Sequence, residues 1–272
     1  MKLEELLAND ALIPSPPEAV HRILAELQQD EPDMRRVNQL LAEEGGLTLR
    51  LLRLVNSARY SPGVTPIGTV EAATALLGLK TTRQLVHAAA VGDAFHAVPG
   101  VNMPEFWRHG LDVAKIAHSL AGDLKLDAGI AFTAGLVHGV GDLILKRAMP
   151  GLASLQPAFA TDDGRYAAQK AELGYAYPEV GAAFAARWRF PASLVEAIRH
   201  QCDPQDGGDT LASVLYLSSW SARAHELDIA GTALFDSFPQ GVARAIGLSD
   251  AERLCDGQII EWTSADEARD FS

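Results

Sequence analysis

An all-α fold is predicted by three features of this 272-residue sequence. Apolar residues recur at helical spacing almost throughout, strict alternation and Val/Ile/Thr-rich runs are scarce, and capping signals precede the apolar stripes. A composition that is 48% hydrophobic and 21% charged supplies the core for one large or two small domains.

Ser15-Pro16-Pro17-Glu18 reads as a capping box with proline in the first turn, followed by the stripe Val20, Ile23, Leu24, Leu27 and an end near Asp30. A second helix is predicted from Asp33, carrying Val37, Leu40 and Leu41 to a stop at Gly45-Gly46. A third carries Leu49, Leu52 and Val55 to Ser57, before a loop over Ser61–Pro66. Thr69 caps a helix that ends at Gly78, and Thr81 opens another toward Phe95. Pro99-Gly100 and Pro104 mark the best internal boundary. Longer helices follow from about Glu105 to Ala121 and Ala128 to Arg147, then Tyr166 to Leu173, Pro178 to Trp188, Ala192 to His200 and Thr210 to His225. Ser249 with Glu252 and Ser264 with Glu267 place short helices in the tail. The expected organisation is an N-terminal helical subdomain over 1–100, a helical core over 101–225 and a helical tail over 226–272 packed on it.

A formal charge of −12, with no Lys/Arg run longer than two, argues against a nucleic-acid surface. Met1-Lys2-Leu3-Glu4-Glu5 is acidic where a secretory leader is basic, and no uninterrupted apolar run is expected to span a membrane. Cys202 and Cys255 are far apart in sequence and read as reduced thiols. A cytoplasmic location is therefore expected. Phosphate-loop and Gly-x-Ser-x-Gly signatures are absent, and no cofactor is expected.

Several ordered motifs then carry a resemblance. These are Ile13-Pro14-Ser15-Pro16-Pro17, Leu49-Arg50-Leu51-Leu52-Arg53-Leu54-Val55-Asn56-Ser57-Ala58, Ile67-Gly68-Thr69-Val70-Glu71-Ala72-Ala73, Phe106-Trp107-Arg108-His109, Ala134-Gly135-Leu136-Val137-His138 and Glu179-Val180-Gly181-Ala182. Together they resemble the HDOD family of bacterial signalling domains over roughly residues 10 to 220. The resemblance implies an N-terminal helical bundle packed on a core like that of HD-superfamily phosphohydrolases. It also implies a regulatory role in bacterial signal transduction, often linked to cyclic di-GMP, motility or stress, in members that mostly have no demonstrated catalysis.

In HD phosphohydrolases a His-Asp pair on a helix helps to hold one or two metal ions. Here Leu136-Val137-His138-Gly139-Val140-Gly141-Asp142 puts glycine where the central carboxylate belongs. By the same resemblance, Tyr177 stands where relatives commonly carry His, Gln201 and Cys202 replace a His pair, and Ser219 replaces a late carboxylate. Asp142 stands where a basic residue is frequent. His109, His138 and Asp142 are thus vestigial site positions, with no metal and no catalysis expected, because too few ligands remain for a stable centre. His109, on the apolar face with Phe106, Val113, Ile116 and Leu120, reads first as a core histidine satisfied by one hydrogen bond. His138 and Asp142, four apart, read either as an intrahelical pair or as part of a polar pocket shared with His109.

Asn56, Ser57 and His200 are candidate ligand or partner contacts, although Asn56-Ser57 also reads as a simple helix C-terminus. The four tryptophans fit core packing, with Trp262 the best candidate for an exposed contact. With no receiver, GGDEF-like or kinase segment in the sequence, input or output is expected in trans. The expected occupants are other signalling proteins, a second copy of the chain or a small nucleotide, with neither nucleic acid nor membrane as partner. The leading expectation is a non-catalytic regulator. The alternatives are a divergent metal-dependent phosphodiesterase using His109, His138, Asp142 and His200, and a nucleotide sensor without cleavage.

Overall fold

The computed structural model describes residues 1–9, 11–56, 67–151, 162–204, 209–248, 252–255 and 259–271; its regular elements are helices, and no strand occurs among the described residues. α1 (Leu3–Leu7) is too short for its apolar spacing to announce it. α2 (Glu18–Leu27) begins after, not within, the Ser15 signal. A residue preceding proline is pushed out of the helical region, so Pro16 and Pro17 keep the chain extended and Pro17 itself is the N-cap (φ −53°, ψ 150°). Its predicted stripe is buried.

α3 (Met34–Glu43) is capped by Asp33, whose carboxylate accepts from the N–H groups of Arg35 and Arg36. Gly45-Gly46 do not terminate it through a glycine cap. Glu44 ends α3, and the two glycines open α4 (Gly45–Asn56). α4 buries Leu47, Leu51, Leu54 and Val55, leaving Leu49 57% exposed, because the i, i+4, i+7, i+8 set is the wider stripe. In α5 (Val70–Ala94) the two predicted helices are limbs of one element, joined at Gly78 (φ 70°, ψ 169°), a conformation that essentially only glycine adopts without strain. The second limb is buried on nearly all sides from Gln84 to Gly92.

α6 (Met103–Asp123), capped by Asn102, packs chiefly on α7 (Ala128–Val137), which is capped by Asp127. The single helix predicted over 128–147 is divided, since α8 (Val140–Ala148) starts anew after a turn at His138-Gly139. α9 (Asp162–Leu173), α10 (Tyr177–Arg187), α11 (Ala192–Arg199) and α12 (Thr210–Glu226) lie close to their predicted spans. α12 rests on α6, and α10 on α8 and α11. The α8–α10 approach needs glycine at 141, where a Cβ would lie 2.0 Å from the Tyr177 carbonyl oxygen.

Beyond α12 come α13 (Thr232–Ser237), α14 (Gln240–Ala245), α15 (Glu252–Cys255) and α16 (Ala265–Phe271). Ser264 Oγ accepts from the Glu267 N–H at 3.1 Å, as its capping box predicts; Ser249 lies outside the described residues. The stretch Ala128–Ala148, which comprises α7, α8 and the turn between them, has membrane-like length and hydropathy, but His138, Asp142, Lys146 and Arg147 interrupt it and 83% of its most apolar window is buried within the fold. Trp262 is half-buried, its ring stacked on His225 at 3.6 Å, so it is not a free apolar contact.

Candidate functional site

α6 and the end of α7 bring His109 and His138 together, with ring centroids 5.4 Å apart. His109 Nδ1 lies 2.9 Å from Glu226 Oε1, and Arg223 donates to the other oxygen of Glu226 at 2.7 Å. Burial alone would raise the Glu226 carboxyl, but the His109 bond and charge, with Arg223, hold it below the usual carboxylate range. Glu226 and Arg223 are site residues that sequence reasoning missed. Their i, i+3 spacing at the end of α12 was a weak signal that helix packing alone makes meaningful. His138 Nδ1 lies 2.6 Å from the Gly135 carbonyl, and its own carbonyl accepts from Gln201 Nε2 at 3.1 Å.

Asp142 does not join the two histidines. Its carboxylate faces α9, held by Lys146 (3.0 Å), Arg165 (3.2 Å) and Gln169 (3.2 Å). The expected His138–Asp142 pairing fails because the turn at Gly139 breaks the continuous helix that i, i+4 contact requires. Burial would raise the Asp142 carboxyl, yet Arg165 and Lys146 hold it below its ordinary range, so it stays an anion among cations. The Phe106 ring packs against Gly139: a Cβ there would lie 3.0 Å from it.

The replaced ligand positions do converge. Tyr177, Gln201, Cys202 and Ser219 line one cavity of about 270 Å³, together with Trp220 and Arg223. The Tyr177 hydroxyl is 2.9 Å from Cys202 Sγ, and the Arg165 guanidinium lies 4.6 Å over the Tyr177 ring. Aromatic faces with a few hydrogen-bonding groups suit a small organic ligand better than an ion.

Asn56 and His200 lie elsewhere. The Asn56 amide donates to the carbonyls of Leu52 and Ile67 and accepts from the Ile67 N–H, which ties the end of α4 to residue 67 and uses both of its donors. Ser57 lies outside the described residues. His200 is 41% exposed beside Glu196 on α11, away from the other candidates.

A divalent metal does not fit this set. Among the described residues no three His, Cys, Asp or Glu side chains converge, and the carboxylate beside the histidines is already bonded to His109 and Arg223. The buried His109 Nε2 has no partner among the described residues, but one imidazole nitrogen is far short of a coordination shell.

Residues 13–204 match the HDOD domain family. The chain belongs to that family. Its structure is similar to that of a Shewanella amazonensis protein provisionally described as a phosphohydrolase, at 28% identity over 98% of both chains and a TM-score of 0.78. A Marinobacter aquaeolei protein provisionally described in signal transduction shares the fold, at 24% identity, 99% of this chain, 60% of that one and a TM-score of 0.68. Ribonuclease Y of Deinococcus radiodurans is 32% identical over 40% of the HDOD chain. The chain spans 37% and 14% of the lengths of the first two curated relatives that it matches. The HDOD protein is thus related to the HD phosphohydrolases in fold, with an N-terminal helical bundle on an HD-like core.

Proposed function

We propose that this HDOD protein is a cytoplasmic, non-catalytic regulator of bacterial signal transduction that acts by binding protein partners or a small ligand in trans. The observation that carries the reading is glycine at 139 with the Phe106 ring packed against it, 3.0 Å from where a Cβ would lie. A bridging carboxylate both neutralises metal charge and positions the attacking water; glycine at 139 supplies none, and a side chain there would have to displace the Phe106 ring. The locking of Asp142 by two cations supports the same reading.

A second reading, a divergent phosphodiesterase, draws on the 28% identity to the Shewanella protein. Metal content after a challenge with manganese, iron and zinc, followed by hydrolysis of bis(p-nitrophenyl) phosphate, separates the two. The regulator reading expects no stoichiometric metal and no turnover beyond that of a His138→Ala variant. Tight metal with turnover that His138→Ala abolishes would establish the phosphodiesterase instead. A sensor reading rests on the 270 Å³ cavity and is tested by titrating nucleosides and cyclic dinucleotides while following Trp220 fluorescence. The acidic balance of the chain favours uncharged ligands there.

A further inference from the structure

A second cavity, of about 150 Å³, lies where α2 and the segment before it meet α5 and the end of α10. Its lining is cationic in a chain with 35 acidic and 23 basic residues. Arg187, Arg189 and His21 face it, with Gln28 beside them, and among the described residues no Asp or Glu lines it.

His87 forms part of the same wall. It is 3% exposed, its ring is held against Phe190 at a centroid distance of 4.5 Å, and its Nε2 is buried with no hydrogen-bond partner among the described residues. Buried polar groups in native proteins are almost always satisfied, and His87 belongs to the cavity wall, so a species bound in the cavity is a candidate partner for its imidazole. Burial, with Arg83 nearby, holds the imidazole neutral, leaving one N–H to donate and one lone pair.

Arg189 adds a cation without an ion-pair partner among the described residues; it is exposed at the cavity mouth, where solvent-borne anions arrive. Arg187 donates to Ser15 Oγ at 3.3 Å, and Trp188 Nε1 to the Pro14 carbonyl at 2.7 Å, so the cavity is roofed by the N-terminal segment. A cavity of about 150 Å³ suits a small anion better than a nucleotide.

We propose that this cavity binds one small oxyanion, a carboxylate or phosphate group held by Arg187 and Arg189 with His87 as the buried hydrogen-bonding partner. The bound anion would tie the Pro14–Gln28 segment, through His21 and Gln28, to Arg187 and Arg189 of the core. The site is separate from the His109–His138 region, and the proposal does not depend on the protein being a regulator.

The test follows the ring-nitrogen resonances of His87 in ¹⁵N-histidine-labelled full-length protein, titrated with inorganic phosphate or with acetate at constant ionic strength against chloride. The expected result is a saturable shift with at least one oxyanion and none with chloride. Arg189→Gln, an exposed change that leaves the core intact, should weaken it about tenfold, the loss of one charge-assisted hydrogen bond. Saturation by phosphate alone identifies a phosphate site, and by acetate alone a carboxylate site. No shift with either anion up to tens of millimolar means the cavity holds water and overturns the proposal. So does a shift that Arg189→Gln and Arg187→Gln both leave unchanged.

Discussion

Gly139 abuts the Phe106 ring so closely that an added Cβ would lie 3.0 Å away. Gly139→Asp, which on paper restores the His-Asp pair, should therefore cost about 1–3 kcal/mol by overpacking and bring no manganese with it. Denaturant unfolding and metal analysis check both halves, and a Gly139→Asp variant as stable as the parent would remove the packing argument. His87 makes a different kind of prediction. Burial first, then Arg83, takes its pKa from 6.5 to about 4. His21, Arg187 and Arg189 on the neighbouring elements are also basic, so nothing facing it favours the proton. A folded-state pKa below the unfolded one means the unfolded chain binds the proton more readily. The associated stability is complete above about pH 6.5 and is lost as the pH falls to about 4, roughly 3 kcal/mol in all. Asp142 and Glu226, held low by their cations, lose theirs only at more acidic pH. Unfolding free energies measured through this window should slope steeply in the parent and less in His87→Leu; equal slopes would sink the assignment.

At the scale of the element, three helices end in the same way. α6, α10 and α12 close with Lys125, Arg189 and Asp228 at φ 57°, 56° and 52°. In each case the next N–H reaches back to the carbonyl five residues earlier, from Leu126 to Ala121, Phe190 to Ala185 and Ile229 to Ala224. That bond marks the helix end whose left-handed residue is usually glycine. Lys125 and Asp228 are exposed and make no side-chain hydrogen bond among the described residues. Lys125→Gly and Asp228→Gly should each raise stability by about 0.5–1 kcal/mol, the steric relief exceeding glycine's added chain entropy. Thermal unfolding decides it, and a lower midpoint in either variant would show that the side chain contributes more than its strain costs.

For the whole molecule, the last helix is fastened to the core by polar groups rather than by a large apolar face. Lys115 on α6, nearly buried, donates to the Glu261 carbonyl (3.3 Å), Thr263 Oγ1 (3.0 Å) and Glu267 (3.3 Å). Asp112, one turn earlier, accepts from the Thr263 N–H at 2.8 Å. Lys115→Ala leaves those acceptors without their cation and should lower the opening free energy of residues 259–271 by about 1–3 kcal/mol. Amide exchange in that segment should accelerate correspondingly while α7 stays protected. Unchanged exchange would place the tail's stability in the His225–Trp262 stack instead.

Periodicity and caps are local properties, which is why helix type, most spans from α9 to α12, and the caps at Asp33, Thr69 and Ser264 were legible from residues alone. Ordered motifs carried the family. The turn that divides α7 from α8, and with it the direction of Asp142, was not legible, because its partners Arg165 and Gln169 come from α9. Nor was the bond of His109 to Glu226, 117 residues away, or the gathering of Tyr177, Gln201, Cys202 and Ser219 around one cavity. Residue pattern and motifs alone yield an all-helical HDOD chain. Where its buried polar groups point depends on helix packing, because a buried side chain takes its partner from whichever helix lies against it.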